Sequence, residues 1–181
     1  MKYLIASDIH GDLAAARLLQ AAFLREGADR LCLLGDLLYH GPRNPLPAAS
    51  DPKGVIALLS DMKERILAVR GNCDTEVDQM VLPFPILADY AVLPLANGRL
   101  AYLTHGHRYS GETPPPLMAE DVLLQGHTHV AGITRRPDGG LCLNPGSVSL
   151  PKENTAPCYL ILEGDRFTLR RLADGEIIAE A

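Results

Sequence analysis

Five of the six histidines stand in short polar clusters rich in glycine and aspartate. His10 lies in Asp8-Ile9-His10-Gly11-Asp12. His105 and His107 frame Gly106, and His127 and His129 frame Thr128 directly after Gly126. Asp36 follows Gly35, and Asn72, Cys73 and Asp74 follow Gly71. Carboxylate, imidazole and amide donors without clustered thiols do not make the closed, Cys-rich site of a structural zinc. The set is also larger than one ion uses, and it suits two catalytic cations such as Mn, Fe or Zn. In Asp8–His10, His105–His107 and His127–His129 the partners are two residues apart. An extended segment therefore sends both side chains to one side.

The clusters share an address, because each follows an apolar run. Tyr3–Ala6 precedes Asp8, Leu31–Leu34 precedes Asp36, and Ile66–Val69 precedes Asn72. Leu100–Leu103 precedes His105, Asp121–Leu124 precedes His127, and Leu141–Leu143 precedes Asn144-Pro145-Gly146-Ser147. Short apolar runs alternating with helix-like stretches predict an α/β domain. In a largely parallel sheet the strand carboxyl ends meet at one edge, where such folds place ligands. Asp12 as N-cap, Leu13, Ala16, Leu19 and Phe23 on one face, and Gly27 as stop predict the first helix. A second helix is predicted over Lys53–Arg65. Cys158–Leu162, Arg166–Leu172 and Glu176–Ala179 are parted by Gly164-Asp165 and Asp174-Gly175, the pattern of an antiparallel meander. The proline-rich stretches Pro42–Pro52 and Gly111–Pro116 read as surface loops.

Residues 1–181 are expected to form a single domain, a length that buries a sizeable core without disulfide or metal support. Apolar residues are 47% and charged residues 22%, which excludes disorder and coiled coil as global descriptions. Lys plus Arg is 17 against 22 Asp plus Glu, a net charge of −5, so nonspecific nucleic-acid binding through phosphates is not expected. No run approaches the ~18 apolar residues of a membrane span. The segment Met1–Gly11 is too short in apolar residues for a secretory leader. With four cysteines and no CxxC pair, the expected location is the cytoplasm, with reduced thiols.

Asp8-Ile9-His10, Gly35-Asp36, Gly71-Asn72, His105-Gly106-His107 and Gly126-His127-Thr128-His129, in that order, resemble the signature blocks of the calcineurin-like metallophosphoesterases. Longer strings, RGNCDTEVDQM and NPGSVSLPK among them, are similar to the YfcE-type bacterial branch of that family, nearly throughout the chain. The resemblance implies a four-layer αββα sandwich of two mixed sheets flanked by helices. It implies two divalent ions, Mn2+ first, with Zn2+, Fe2+, Ni2+ or Mg2+ as alternatives. Asp8, His10, Asp36 and His129 would hold one ion, Asp36 would bridge, and Asn72, His105 and His127 would complete the other. The implied activity is phosphodiester hydrolysis by a hydroxide bridging the ions, with Asn72 stabilising charge on the phosphoryl oxygens. The implied partner is a small phosphodiester. Relatives of this type suggest a homo-oligomer, although no residue pattern marks an interface.

One position departs from many members of the family. Where they carry a histidine thought to protonate the leaving group, this chain has Cys73, followed by Asp74. A thiol, which ordinarily titrates near ~8.5, replaces imidazole poorly. The YfcE-type branch shares this cysteine. The expectation is therefore a preference for good leaving groups, or a proton supplied by His40 or His107. His107 is otherwise expected behind the ligands rather than among them. Arg43 and Arg70 are candidate phosphate contacts. The alternatives are a phosphomonoesterase or nucleotide pyrophosphatase using the same site, or a binding scaffold of the same fold. The intact ligand set argues against the scaffold.

Overall fold

The computed structural model describes residues 1–181. Two mixed β-sheets pack face to face. The first has the order β11-β10-β9-β1-β2-β3 and the second β4-β5-β6-β8-β7. In the first sheet β1 (Lys2–Ala6), β2 (Arg30–Leu33) and β3 (Ile66–Ala68) run parallel, and the meander β9 (Cys158–Glu163), β10 (Arg166–Arg171) and β11 (Ile177–Glu180) joins them with β9 antiparallel to β1. In the second sheet β5 (Leu100–Thr104), β6 (Val122–Leu124) and β8 (Leu141–Pro145) are parallel. Its two edges, β4 (Tyr90–Pro94) and β7 (Ala131–Arg135), are antiparallel to their neighbours. The carboxyl ends of β1, β2 and β3 carry Asp8, Asp36 and Asn72. Those of β5 and β6 carry His105 and His127.

Alternation along the strands divides the apolar residues between two cores. Leu4 and Ala6 face helices α1 (Leu13–Glu26) and α2 (Pro52–Asp61), together with Leu31, Leu33, Ala68 and Tyr159. Ile5, between them, faces the second sheet with Cys32, Leu160, Leu103, Leu124 and Leu143. Asp12 caps α1 by accepting from Ala15 N–H at 2.9 Å, and Gly27 closes it in the left-handed conformation at φ 59°. The second predicted helix stops earlier than the periodicity suggests. It ends at Asp61, and Lys63–Arg65 tighten into a 3-10 turn.

The class and the paired sheets are as expected, but the helices are unevenly placed. α1 and α2 pack on the first sheet. On the outer face of the second sheet lies the helix-free segment 105–121. Leu141 and Leu143 belong to the inter-sheet core, so Cys142 points outward, and Gly111 sits against its Sγ. Three consecutive prolines in this segment remove backbone donors that a helix needs. Buried Arg136 anchors its end by donating to the carbonyls of Met118, Ala119 and Asp121. Apolar runs did not mark β4, β7 or the short α3 (Glu76–Val81). β4 is apolar throughout, Tyr90-Ala91-Val92-Leu93-Pro94, but it is an edge strand with Tyr90, Val92 and Pro94 exposed, and a proline within the run reads against a central strand. The signal for α3 was present in Thr75-x-x-Asp78, which forms a capping box.

Candidate metal centre

Five of the clustered residues adopt left-handed backbone: Asp8 (φ 59°), His10 (51°), Asp36 (57°), His127 (67°) and His129 (64°). Such positions cost non-glycine residues of order 1–3 kcal/mol each and concentrate at functional sites. Neighbouring strand ends hold them there. Asp8 N–H donates to Gly35 C=O and His10 N–H to Asp36 C=O, at 3.1 and 2.9 Å. Ser147 Oγ and Ser149 Oγ donate to the Asp8 carbonyl at 2.7 and 3.0 Å. Glycine is required at two points of close approach. A Cβ on Gly71 would run into the Asp36 carboxylate and amide. One on Gly126 would strike Ser7 Oγ and reach Asp8 Oδ2 at 2.8 Å.

Three rings are oriented from behind. The Nδ1–H groups of His10, His105 and His129 donate to the carbonyls of Tyr39, Leu34 and Leu150 at 2.8, 2.7 and 2.7 Å. In the neutral ring this leaves Nε2 as a bare lone pair. Those lone pairs converge on acceptors. His10 Nε2 and His129 Nε2 are 3.1 Å apart and lie 3.4 and 3.2 Å from Asp8 Oδ1. Asp8 Oδ1 is buried and accepts no hydrogen bond. His105 Nε2 likewise faces Asn72 Oδ1 at 3.0 Å and Asp36 Oδ2 at 3.4 Å. Lone pairs this close repel one another unless positive charge, a proton or a metal ion, lies among them, and the mixed carboxylate, imidazole and amide donor set fits bound metal. The tight donor groups are Asp8–His10–His129, Asp8–Asp36–His105 and His10–Asp36–Cys73.

The electrostatics agree. Burial alone would raise Asp8, but His10 and His129 outweigh it and hold the carboxyl well below the usual range. Burial opposes the lowering of Asp36, which His105 brings about. Burial alone would lower His105, yet Asp36 and Asp8 push it up to about 9. Carboxylates held low and a histidine held high mark a site that attracts positive charge.

The remaining predicted residues take several positions. His127 lines the cavity, its ring 5.1 Å from that of His105, outside the tight donor groups. Asn72 and Cys73 line it too, and Asn72 Nδ2 donates to Cys73 Sγ at 3.3 Å. Burial and Asp36 push the Cys73 thiol up to about 12. Asp74 does not face the cavity. Its carboxylate accepts from the amides of Asp36, Leu37 and Gly71 at 2.8, 2.9 and 2.8 Å, which makes it a positioning residue. His107 sits behind the ligands, its ring 5.4 Å from that of His105 and its Nδ1 buried without a partner. Burial and His105 push it down to about 4. His40 lies against the Tyr39 ring, outside the cavity lining. Arg70 turns away as well. Its Nε donates to Asp74 C=O at 3.2 Å and its NH2 lies 3.6 Å from Glu76. A tight turn captures it before it reaches the opening.

Arg43 does line the cavity, which measures about 650 Å3 and has Asp36, His127 and His129 at its base. Sequence reasoning missed Lys152, Asn44 and Thr128 in the same wall. Lys152 N–H donates to His129 C=O at 3.0 Å, which brings residue 152 to the opening. The only signal was its position at the end of NPGSVSLPK.

Comparison with known proteins agrees with this geometry. A family model described as the calcineurin-like phosphoesterase superfamily domain matches residues 1–166. The chain is 44% identical to phosphodiesterase YfcE of Escherichia coli K12 over 180 residues, 99% of this chain and 97% of that protein. A solved structure of E. coli YfcE, described as a phosphoesterase, superposes with a TM-score of 0.94 at 43% identity, covering 100% of this chain and 98% of that one. Vps29 of Chaetomium thermophilum shares the fold alone, with a TM-score of 0.60 at 18% identity over 100% of this chain and 95% of that one. With its clustered donors at the carboxyl ends of two packed sheets, the chain belongs to the calcineurin-like phosphoesterase superfamily.

Proposed function

We propose that the chain is a metal-dependent phosphodiesterase working through a dinuclear centre. The observation that carries this reading is the convergence of Asp8 Oδ1, His10 Nε2 and His129 Nε2 within 3.4 Å of one another in a buried site. It occurs in a chain 44% identical along its length to a phosphodiesterase. Asp8, His10, Asp36 and His129 would hold one ion, with Asp36 shared, and Asn72, His105 and His127 the other. Two divalent ions there supply Lewis acidity toward phosphoryl oxygens and acidify water at neutral pH. The protein residues orient the rings through backbone carbonyls. Asn72 offers its amide to developing phosphoryl charge. Arg43 and Lys152 attract an anionic substrate to the opening in an otherwise acidic chain. With His40 and His107 outside the cavity lining, Cys73 is the residue beside Asn72 that a leaving group meets. That supports a preference for leaving groups needing little protonation.

The reading takes residues 1–181 as one functional unit, since both sheets contribute ligands. Mn2+ is the proposed metal, with Zn2+, Fe2+, Ni2+ and Mg2+ as competitors. A cytoplasmic location and a homo-oligomeric state are part of the proposal. No helix is long and apolar enough to cross a membrane. The test is hydrolysis by metal-stripped protein with Mn2+ restored, comparing bis-p-nitrophenyl phosphate with p-nitrophenyl phosphate. The expected result is Mn2+-dependent cleavage of the diester well above the monoester, lost in Asp36→Ala. Preference for the monoester would keep the metal centre and overturn the substrate class. No cleavage of either, with metal bound, would leave a very selective enzyme or a scaffold.

A further inference from the structure

We propose that the cavity above the metal-facing residues selects small phosphodiesters whose arm carries a second anionic group, and that Arg43 and Lys152 recognise that group. The inference rests on the phosphodiesterase reading and adds the chemical class of its substrate.

The lining carries the argument. Arg43 and Lys152 both line the cavity of about 650 Å3, and both are exposed. Neither takes part in any ion pair of the chain. The chain has a net charge of −5, yet Asp36 is the only carboxylate in the lining, and Asp36 is occupied with the metal-facing histidines. Away from its base, the wall is therefore cationic. The single charge of a simple phosphodiester is already matched by the cations the donor set calls for. Two further free cations exceed that need, and they match a second phosphate or carboxylate.

The same wall offers other arms less. It contains no Phe, Tyr or Trp, so a nucleobase meets no large aromatic face, only the rings of the metal-facing His127 and His129 and the Arg43 guanidinium. Gly41, Pro42, Asn44, Pro45 and Thr128 complete the lining, which has no large aliphatic side chain to hold a long acyl chain. Charge and hydrogen bonding carry most of the discrimination. The backbone presents both cations from fixed points. Lys152 N–H is tied to the carbonyl of His129 at 3.0 Å. Arg43 sits in the turn between Gly41, at φ 79°, and Asn44, whose amide donates to His40 C=O at 2.8 Å.

The experiment is isothermal titration calorimetry on the Mn2+-loaded full-length protein. The probes are two diesters, dimethyl phosphate and carboxymethyl methyl phosphate, which differ by one added carboxylate. Wild type is expected to bind the carboxylate-bearing diester about tenfold more tightly, a preference that shrinks as salt is raised. Arg43→Met and Lys152→Met, both at exposed positions, are each expected to lower that preference about threefold, and the double variant to abolish it. An equal preference in the double variant, or none in wild type, would overturn the proposal. Bis-p-nitrophenyl phosphate, assayed on the same samples, tests the other premise. Failure to cleave it would overturn the phosphodiester part of the substrate class, while the calorimetry separately upholds or overturns anion recognition by the two residues.

Discussion

The base and the rim of the cavity are built on opposite principles. At the base, Asp8, His10, Asp36 and His129 are at least nine-tenths buried, held in left-handed backbone, and fixed by strand ends or by carbonyls behind their rings. At the rim, Arg43 and Lys152 are exposed and their side chains carry no ion pair. A buried donor set stores strain and unmatched acceptors, which a cation relieves, so its geometry must be in place before anything binds. Exposed cations act through long-range charge and need little precision, and salt weakens them. Chemistry is expected to depend on the base, and substrate choice on the rim.

The sharpest way to break this contrast is to remove a base ligand. Asp36→Ala is expected to lower Mn2+-dependent diester hydrolysis by roughly a thousandfold or more, about 4 kcal/mol of lost transition-state stabilisation. Metal content, measured on the same sample, should fall with it. Gly126→Ala comes next, because the added methyl group has no room beside Ser7 and Asp8. Metal affinity is expected to drop about 100-fold, with hydrolysis partly restored at high Mn2+. An unchanged metal titration would show that the close packing behind Asp8 is dispensable.

Cys73→His probes the border between base and rim. It should raise the rate on a diester with a poor leaving group by about tenfold or more, relative to a good one. An unchanged ratio would remove the idea that an acid is missing. Arg70→Met should give the smallest effect. Its exposed pair with Glu76 is worth under about 1 kcal/mol, read as a shift in thermal midpoint. Its effect on diester KM should be smaller than that of Lys152→Met. A larger effect would show that Arg70 leaves Asp74 and Glu76 to reach the substrate.

The sequence by itself carried the parts whose physics is local. Apolar runs marked β1, β2, β3, β5, β6 and β8, Asp12 and Gly27 bounded α1, and two Asp/Gly turns marked the meander. It also carried the donor inventory, since Asp, His and Asn in glycine-containing clusters after apolar runs have few other uses at that density. What it could not carry depends on contacts between residues far apart in the chain. Arg43 and Arg70 look alike in sequence, but only Arg43 lines the cavity, because Asp74 and Glu76 hold Arg70 aside. Asp74 looks like a partner for its neighbour Cys73, yet its carboxylate is consumed by amides from β2's carboxyl-terminal turn and from Gly71. Lys152, with no pattern to mark it, is drawn to the opening by its hydrogen bond to His129, whereas the place of His107 behind His105 is the one its sequence position suggested. The two-residue spacing of Asp8–His10 and His127–His129 reads as extended chain, yet these residues lie past the strand ends in left-handed backbone, a conformation set by contacts with neighbouring loops. Only the packing of two sheets and their loops decides which side chains face the metal, the substrate or the core.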